Sequence, residues 1–130
     1  MKVIVLNTLY YAVSWCNNTI DRVADPADQF AWLEKELAST PKTQQIIISA
    51  HVPPGYRTEY PTLPLWQPQY IPRFEKIISK YADLISGMFF GHVHRDDYKL
   101  LYLNGLFGFG FFFVLVFLLL REGRFSPLSK

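Results

Sequence analysis

An α/β fold in the order β-α-β-α-β is predicted for this 130-residue chain by three observations. Short apolar runs recur at 3–6, 45–50 and 84–90, with the length of buried strands and, in the first two, their richness in β-branched residues. Between them lie two stretches whose apolar residues repeat at helical spacing. The 3 histidines of the chain, His51, His92 and His94, all sit just past a strand's end. Alternating strands and helices build parallel sheets, and ligands collect at the carboxyl ends of such strands.

The first run, Val3-Ile4-Val5-Leu6, ends at Asn7-Thr8 in a loop. Met1 leads almost directly into it, without a signal peptide's cleavage pattern, so the chain reads as the later part of something longer. Residues 9–24 lack sustained periodicity but carry Asn17-Asn18-Thr19, a glycosylation sequon that matters only in the secretory pathway. The single cysteine, Cys16, has no internal disulfide partner. Asp25-Pro26-Ala27-Asp28 predicts a helix start. Asp25 caps free amides, Pro26 suits the first position, and Asp28 brings negative charge to the positive end of the dipole. Phe30, Leu33 and Leu37 then form the packing stripe, Trp32 lies at its edge, and Ser39-Thr40-Pro41 ends the helix.

Ile46-Ile47-Ile48 is the composition of a strand covered on both faces. His51 follows, and Val52-Pro53-Pro54-Gly55 can neither prolong the strand nor begin a helix. Taken alone, His51 suits a structural role as well as a ligand role. Residues 56–69 form a long loop rich in Pro, Tyr and Trp. Its Tyr56 and Trp66 either contact a substrate or pack over the core. Ile71, Phe74, Ile78 and Tyr81 predict a second amphipathic helix over 70–81. The strand over 84–90 leads into Gly91-His92-Val93-His94. Positions i and i+2 of an extended segment project to one side, so His92 and His94 are expected to face a common site beyond a tight turn at Gly91. A fourth strand is expected over 97–103.

The net charge of +2 is spread along the chain without a basic block, so nucleic-acid binding by charge alone is not indicated. From Leu100 to Leu120 the 21 residues carry no charge, and as a helix they would measure about 31 Å, enough to cross a bilayer. Arg121 and Arg124 would then place the C-terminus in the cytoplasm and the histidines on the other side. The other reading is that this stretch is not native to the fold. The chain accordingly divides into a partial domain, 1–103, and an apolar tail, 104–130.

Several motifs in order resemble one family. Leu6-Asn7-Thr8, Asp25-Pro26-Ala27-Asp28-Gln29-Phe30 with Trp32-Leu33, Ala50-His51-Val52-Pro53-Pro54-Gly55, and Phe90-Gly91-His92-Val93-His94-Arg95-Asp96 are similar to the calcineurin-like metallophosphoesterases. The wording is that of their acid sphingomyelinase-like phosphodiesterase branch. The resemblance implies the C-terminal half of an αββα sandwich and a two-metal phosphodiester hydrolase. It also implies His51 and His92 on one Zn2+ and His94 on its neighbour. Two metals about 3.5 to 4 Å apart polarise phosphoryl oxygens and generate a hydroxide, and imidazole ligands suit zinc. Asp96 either orients a ligand histidine or caps a turn. Relatives of this kind act on phosphodiester small molecules or lipids and are secreted or lysosomal glycoproteins, which gives the Asn17 sequon weight.

The family's earlier motifs, D-x-H, G-D-x-x and G-N-H, do not occur in this chain. No catalytic residue is therefore assigned here, and three histidines divided between two metals leave the zinc site incomplete. The expectation is a fragment of the enzyme that hydrolyses nothing by itself. The alternatives are a non-catalytic, truncated or membrane-associated isoform, the apolar run at 100–120 being its anchor, and a stand-alone histidine metal-binding protein.

Overall fold

The computed structural model describes residues 1–13, 23–57, 60–94, 97–98 and 113–114. It is a mixed α/β structure with a three-stranded parallel sheet and two α-helices. Strand β1 (Lys2–Leu6) pairs with β2 (Ile46–Ala50), and β2 pairs with β3 (Ile85–Phe90). Helix α1 (Gln29–Ala38) lies between β1 and β2 in sequence, and α2 (Ile71–Lys80) between β2 and β3. β2 occupies the centre, so the carboxyl ends of β2 and β3 emerge side by side.

Register sets the two sheet faces. Ile4 stands beside Ile48 and Met88, and Leu6 beside Ala50 and Phe90. Ile4, Leu6, Ile46, Ile48, Met88 and Phe90 are all buried, packed with Phe30, Leu33 and Leu37 of α1 and Phe74, Ile77 and Ile78 of α2. Each such side chain contributes about 1.5–3 kcal/mol on full burial. Among the described residues no helix covers the opposite face. Val3 is 56% and Val5 69% exposed, and Ile47 and Phe89 are only half-buried. This corrects the expectation for Ile46-Ile47-Ile48: among the described residues both helices pack on one side of the sheet. β3 also carries a bulge, since Ile85 faces Ile46 while Gly87, two residues on, faces Ile47.

The start of α1 departs from the simple cap. Pro26–Asp28 forms a separate 3-10 turn, with Ala27 (φ 55°) and Asp28 (φ 52°) left-handed, and the α-helix begins only at Gln29. Asp25 still caps it across this kink, accepting the N–H of Phe30 at 2.8 Å and of Ala31 at 3.0 Å. The same carboxylate meets the Arg73 guanidinium of α2 at 2.9 Å, so one side chain fixes both helices. Asp28 stands at the N-cap without a capping side-chain bond.

Residues without periodicity supply the centre of the core. Tyr11 stacks on Phe30 with ring centroids 4.5 Å apart and tilts against Trp66 at 4.6 Å and Tyr70 at 5.1 Å. Its hydroxyl accepts a hydrogen bond from Gln29 Nε2 at 2.7 Å. Burial is the main reason its pKa is pushed up to about 12, against the lowering effect of the Gln29 bond.

Beyond the sheet, β4 (Asp97–Tyr98) pairs antiparallel with β5 (Phe113–Val114). These last two residues lie in the uncharged run and are extended, so they are not part of a continuous helix over 100–120. No helix among the described residues is long and apolar enough to cross a membrane. The rest of the tail, with Asn17 and Asp96, lies outside the described residues.

Candidate metal centre

Two histidine rings meet where β2 and β3 end. His51 directly follows Ala50, and His92 stands two residues after Phe90; their centroids are 5.2 Å apart, edge to face at 82°. Parallel pairing brings both strand ends to one edge of the sheet. The backbones are tied as well, because Gly91 N–H donates to the His51 carbonyl at 2.9 Å. The approach is close: a Cβ on Gly91 would stand 3.3 Å from His51 Nδ1 and 3.8 Å from its Cε1, so the ring would have to give by a few tenths of an ångström.

The histidine turn is not the extended segment expected from the i, i+2 spacing. β3 stops at Phe90, His92 has φ 73° and His94 φ 57°, and Val93 N–H donates back to the Gly91 carbonyl at 2.9 Å. That i to i+2 bond around a left-handed residue is a γ-turn, a strained conformation. The turn carries the His92 ring against His51, while His94 is exposed. His92 and His94 therefore do not share a face through strand alternation.

Burial is the largest cause depressing the His92 pKa, and the neighbouring positive charges of His51, Arg57 and His94 add to it in that order. The ring is thus held neutral at neutral pH, the state in which imidazole binds a metal. Two imidazoles converging from adjacent strand ends fit two positions of one metal. Among the described residues no group of three His, Cys, Asp or Glu side chains comes together to hold an ion.

The loop after His51 is anchored more heavily than its sequence suggests. Val52 N–H donates to the Thr8 hydroxyl oxygen at 2.7 Å, and the Trp66 indole N–H donates to the Val52 carbonyl at 2.9 Å. Thr8, Val52 and Trp66 are all buried. Trp66 is wholly enclosed and edges against Phe74 at 5.1 Å, so of its two readings the structure shows packing, with no face open to a substrate. Tyr56 is 44% exposed and lies opposite Pro64 in an irregular hairpin closed by Leu65 N–H on the Gly55 carbonyl at 2.7 Å. The long loop therefore has its own pairing. The sequence gives no role to Arg57, and Thr8 stands out there only as the end of the Leu6-Asn7-Thr8 motif, without a partner.

No family model matches the chain. It is 37% identical over 105 residues to cyclic GMP-AMP phosphodiesterase SMPDL3A of Homo sapiens, a match covering 78% of this chain and 22% of that protein. Acid sphingomyelinase-like phosphodiesterase 3b of Homo sapiens is 34% identical over 102 residues, with the same two shares. Sphingomyelinase phosphodiesterase D of Dictyostelium discoideum is 37% identical over 100 residues, 76% of this chain and 22% of that protein. The match to the curated relatives thus spans about 22% of their length.

Proposed function

Because this chain is, over 78% of its length, a segment of the acid sphingomyelinase-like phosphodiesterase branch, we propose that it supplies the histidine side of a metal-dependent phosphodiester hydrolase site. The observation that carries this reading is the meeting of the His51 and His92 rings at two adjacent strand ends. The relatives' names point to phosphodiester substrates, a cyclic dinucleotide or sphingomyelin, and we take that chemical class for the complete site. The sheet with its two helices is read as the C-terminal half of an αββα sandwich, ordered β-α-β-α-β with its apolar tail, and the secretory setting and the Asn17 sequon belong to the same reading.

His51 and His92 would hold one zinc ion, and His94, exposed two residues further on, would serve its neighbour. Such ions supply polarised phosphoryl oxygens and a water of lowered pKa. The chain's own part is to present the imidazoles and to keep the Arg57 charge close by. Arg57, among the causes of the depressed His92 pKa, is suited to meet a phosphate oxygen. Zinc sites use three or four protein ligands, so a pair leaves this one incomplete within the chain.

Zinc titration of the purified chain by competition with a chromophoric chelator tests the pair. Saturable binding is expected for the wild type and for His94→Ala at the first site, and its loss in His51→Ala and in His92→Ala. Undiminished binding in both of the latter overturns the assignment. Bis-p-nitrophenyl phosphate should not be turned over by the 130-residue chain; chelator-sensitive turnover would refute the ligand count.

A further inference from the structure

We propose that Thr8 is the positioning residue for His51, its hydroxyl oxygen fixing the plane of the peptide that links His51 to Val52. This rests on reading His51 and His92 as a ligand pair. The peptide is held at both of its polar ends: its carbonyl accepts from Gly91 N–H at 2.9 Å and its N–H donates to Thr8 Oγ1 at 2.7 Å. One residue on, the Val52 carbonyl takes the Trp66 indole. Three separate parts of the chain thus converge on one dipeptide.

The side chain of His51 is exposed, so packing does little to hold its ring. The backbone sets the direction of its Cα–Cβ bond and limits its rotamers, and the plane of the following peptide sets the ψ angle of His51. Thr8 is only 1% exposed and is itself held. It opens the 3-10 turn Thr8–Tyr10, which Asn7 caps by accepting the Leu9 N–H. The backbone of Asn7 is gripped in turn by Gln29, whose Oε1 accepts the Asn7 N–H at 2.8 Å and whose Nε2 donates to the Asn7 carbonyl at 3.3 Å. A rigid path therefore runs from α1 through Asn7 and Thr8 to His51. Trp66 lies too deep in the core to be changed without disturbing the fold, whereas the Thr8 hydroxyl can be removed almost isosterically.

The test compares Thr8→Val, which keeps the shape and loses the acceptor, with Thr8→Ser, which keeps the acceptor. The first readout needs no metal: the nuclear Overhauser effect between the His51 and His92 rings in the labelled full chain. The second is zinc affinity by chelator competition. Wild type and Thr8→Ser should keep the ring contact and bind zinc within about threefold of each other. Thr8→Val should lose the contact and bind about tenfold more weakly, the lower end of what removing a ligand's supporting partner costs. Leu37→Ala, a core change remote from the loop, should lower the melting temperature and leave the ring contact intact. A folded Thr8→Val chain with an undiminished ring contact overturns the proposal. Should Thr8→Val fail to fold, amide exchange in the wild type decides: Val52 N–H exchanging as fast as an unstructured amide overturns it, and protection equal to that of Gly91 supports it. Absence of zinc binding by a wild-type chain whose ring contact depends on Thr8 would overturn the ligand reading alone, so the two failures are distinguishable.

Discussion

Replacing Gly91 by alanine should separate the metal centre from the fold. The added methyl would stand 3.3 Å from His51 Nδ1 and 3.8 Å from the His51 carbonyl oxygen. The first distance is a few tenths of an ångström inside ordinary contact, and the exposed imidazole is the part free to yield. Gly91 is not left-handed, so alanine meets no backbone strain there. Glycine to alanine at a compatible position stabilises by about 0.4–1 kcal/mol through the unfolded chain, offsetting most of the contact's cost. Binding constellations tolerate displacements of about 0.5 Å and rotations of about 10–20°, so the displaced ring reaches the edge of that range. A loss of about 1.4 kcal/mol in binding, or tenfold in zinc affinity, is expected, with a urea midpoint close to wild type. The assay is chelator competition run beside urea denaturation. Unchanged zinc affinity, or affinity and stability falling together, would refute the reasoning.

Two further predictions concern stability. Tyr11 favours its neutral phenol in the folded state, with a pKa of about 12 against 10.0 normally, chiefly through burial. That contribution is complete below pH 10 and is lost as pH rises through 12, a change of about 3 kcal/mol for two pKa units. Urea midpoints between pH 9 and 12 should fall with the appearance of tyrosinate absorbance, and Tyr11→Phe should flatten the fall. His94 is held at φ 57°, where glycine is free and other residues are strained. His94→Gly should therefore be more stable than His94→Ala by about 1 kcal/mol; equal midpoints would show that the residue is not held left-handed.

Most of the strands and helices were legible because their signals are local. The β-branched Ile46-Ile47-Ile48 run marks a strand and the Phe74, Ile78 spacing a helix, and His51 and His92 stand at strand ends as expected. What was hidden depends on residues distant in sequence. The left-handed pair Ala27 and Asp28 follows from Asp25 reaching over them to cap α1 and to hold Arg73. The choice for Trp66 between substrate contact and core packing is decided only by Tyr11, itself in an aperiodic stretch, which lies tilted against it. The γ-turn at His92 replaces strand alternation because Val93 bonds back to Gly91. The role of Thr8 could not be read at all, since its partner lies 44 residues away.

The bulge in β3 also decides which residue His51 meets. Ile85 pairs with Ile46 and Gly87 with Ile47, so Ser86 is passed over and every later pairing is displaced by one. Met88 and Phe90 thereby point into the core, and Gly91 arrives opposite His51. Paired without the skip, Phe90 would stand opposite His51, where even a single methyl group is crowded. One unpaired serine at the beginning of the strand thus acts as a phase setter for its far end. Chains that zip β3 onto β2 in the wrong phase cannot close the histidine pair, and a cation bound there would select the correctly registered sheet from among its near misses.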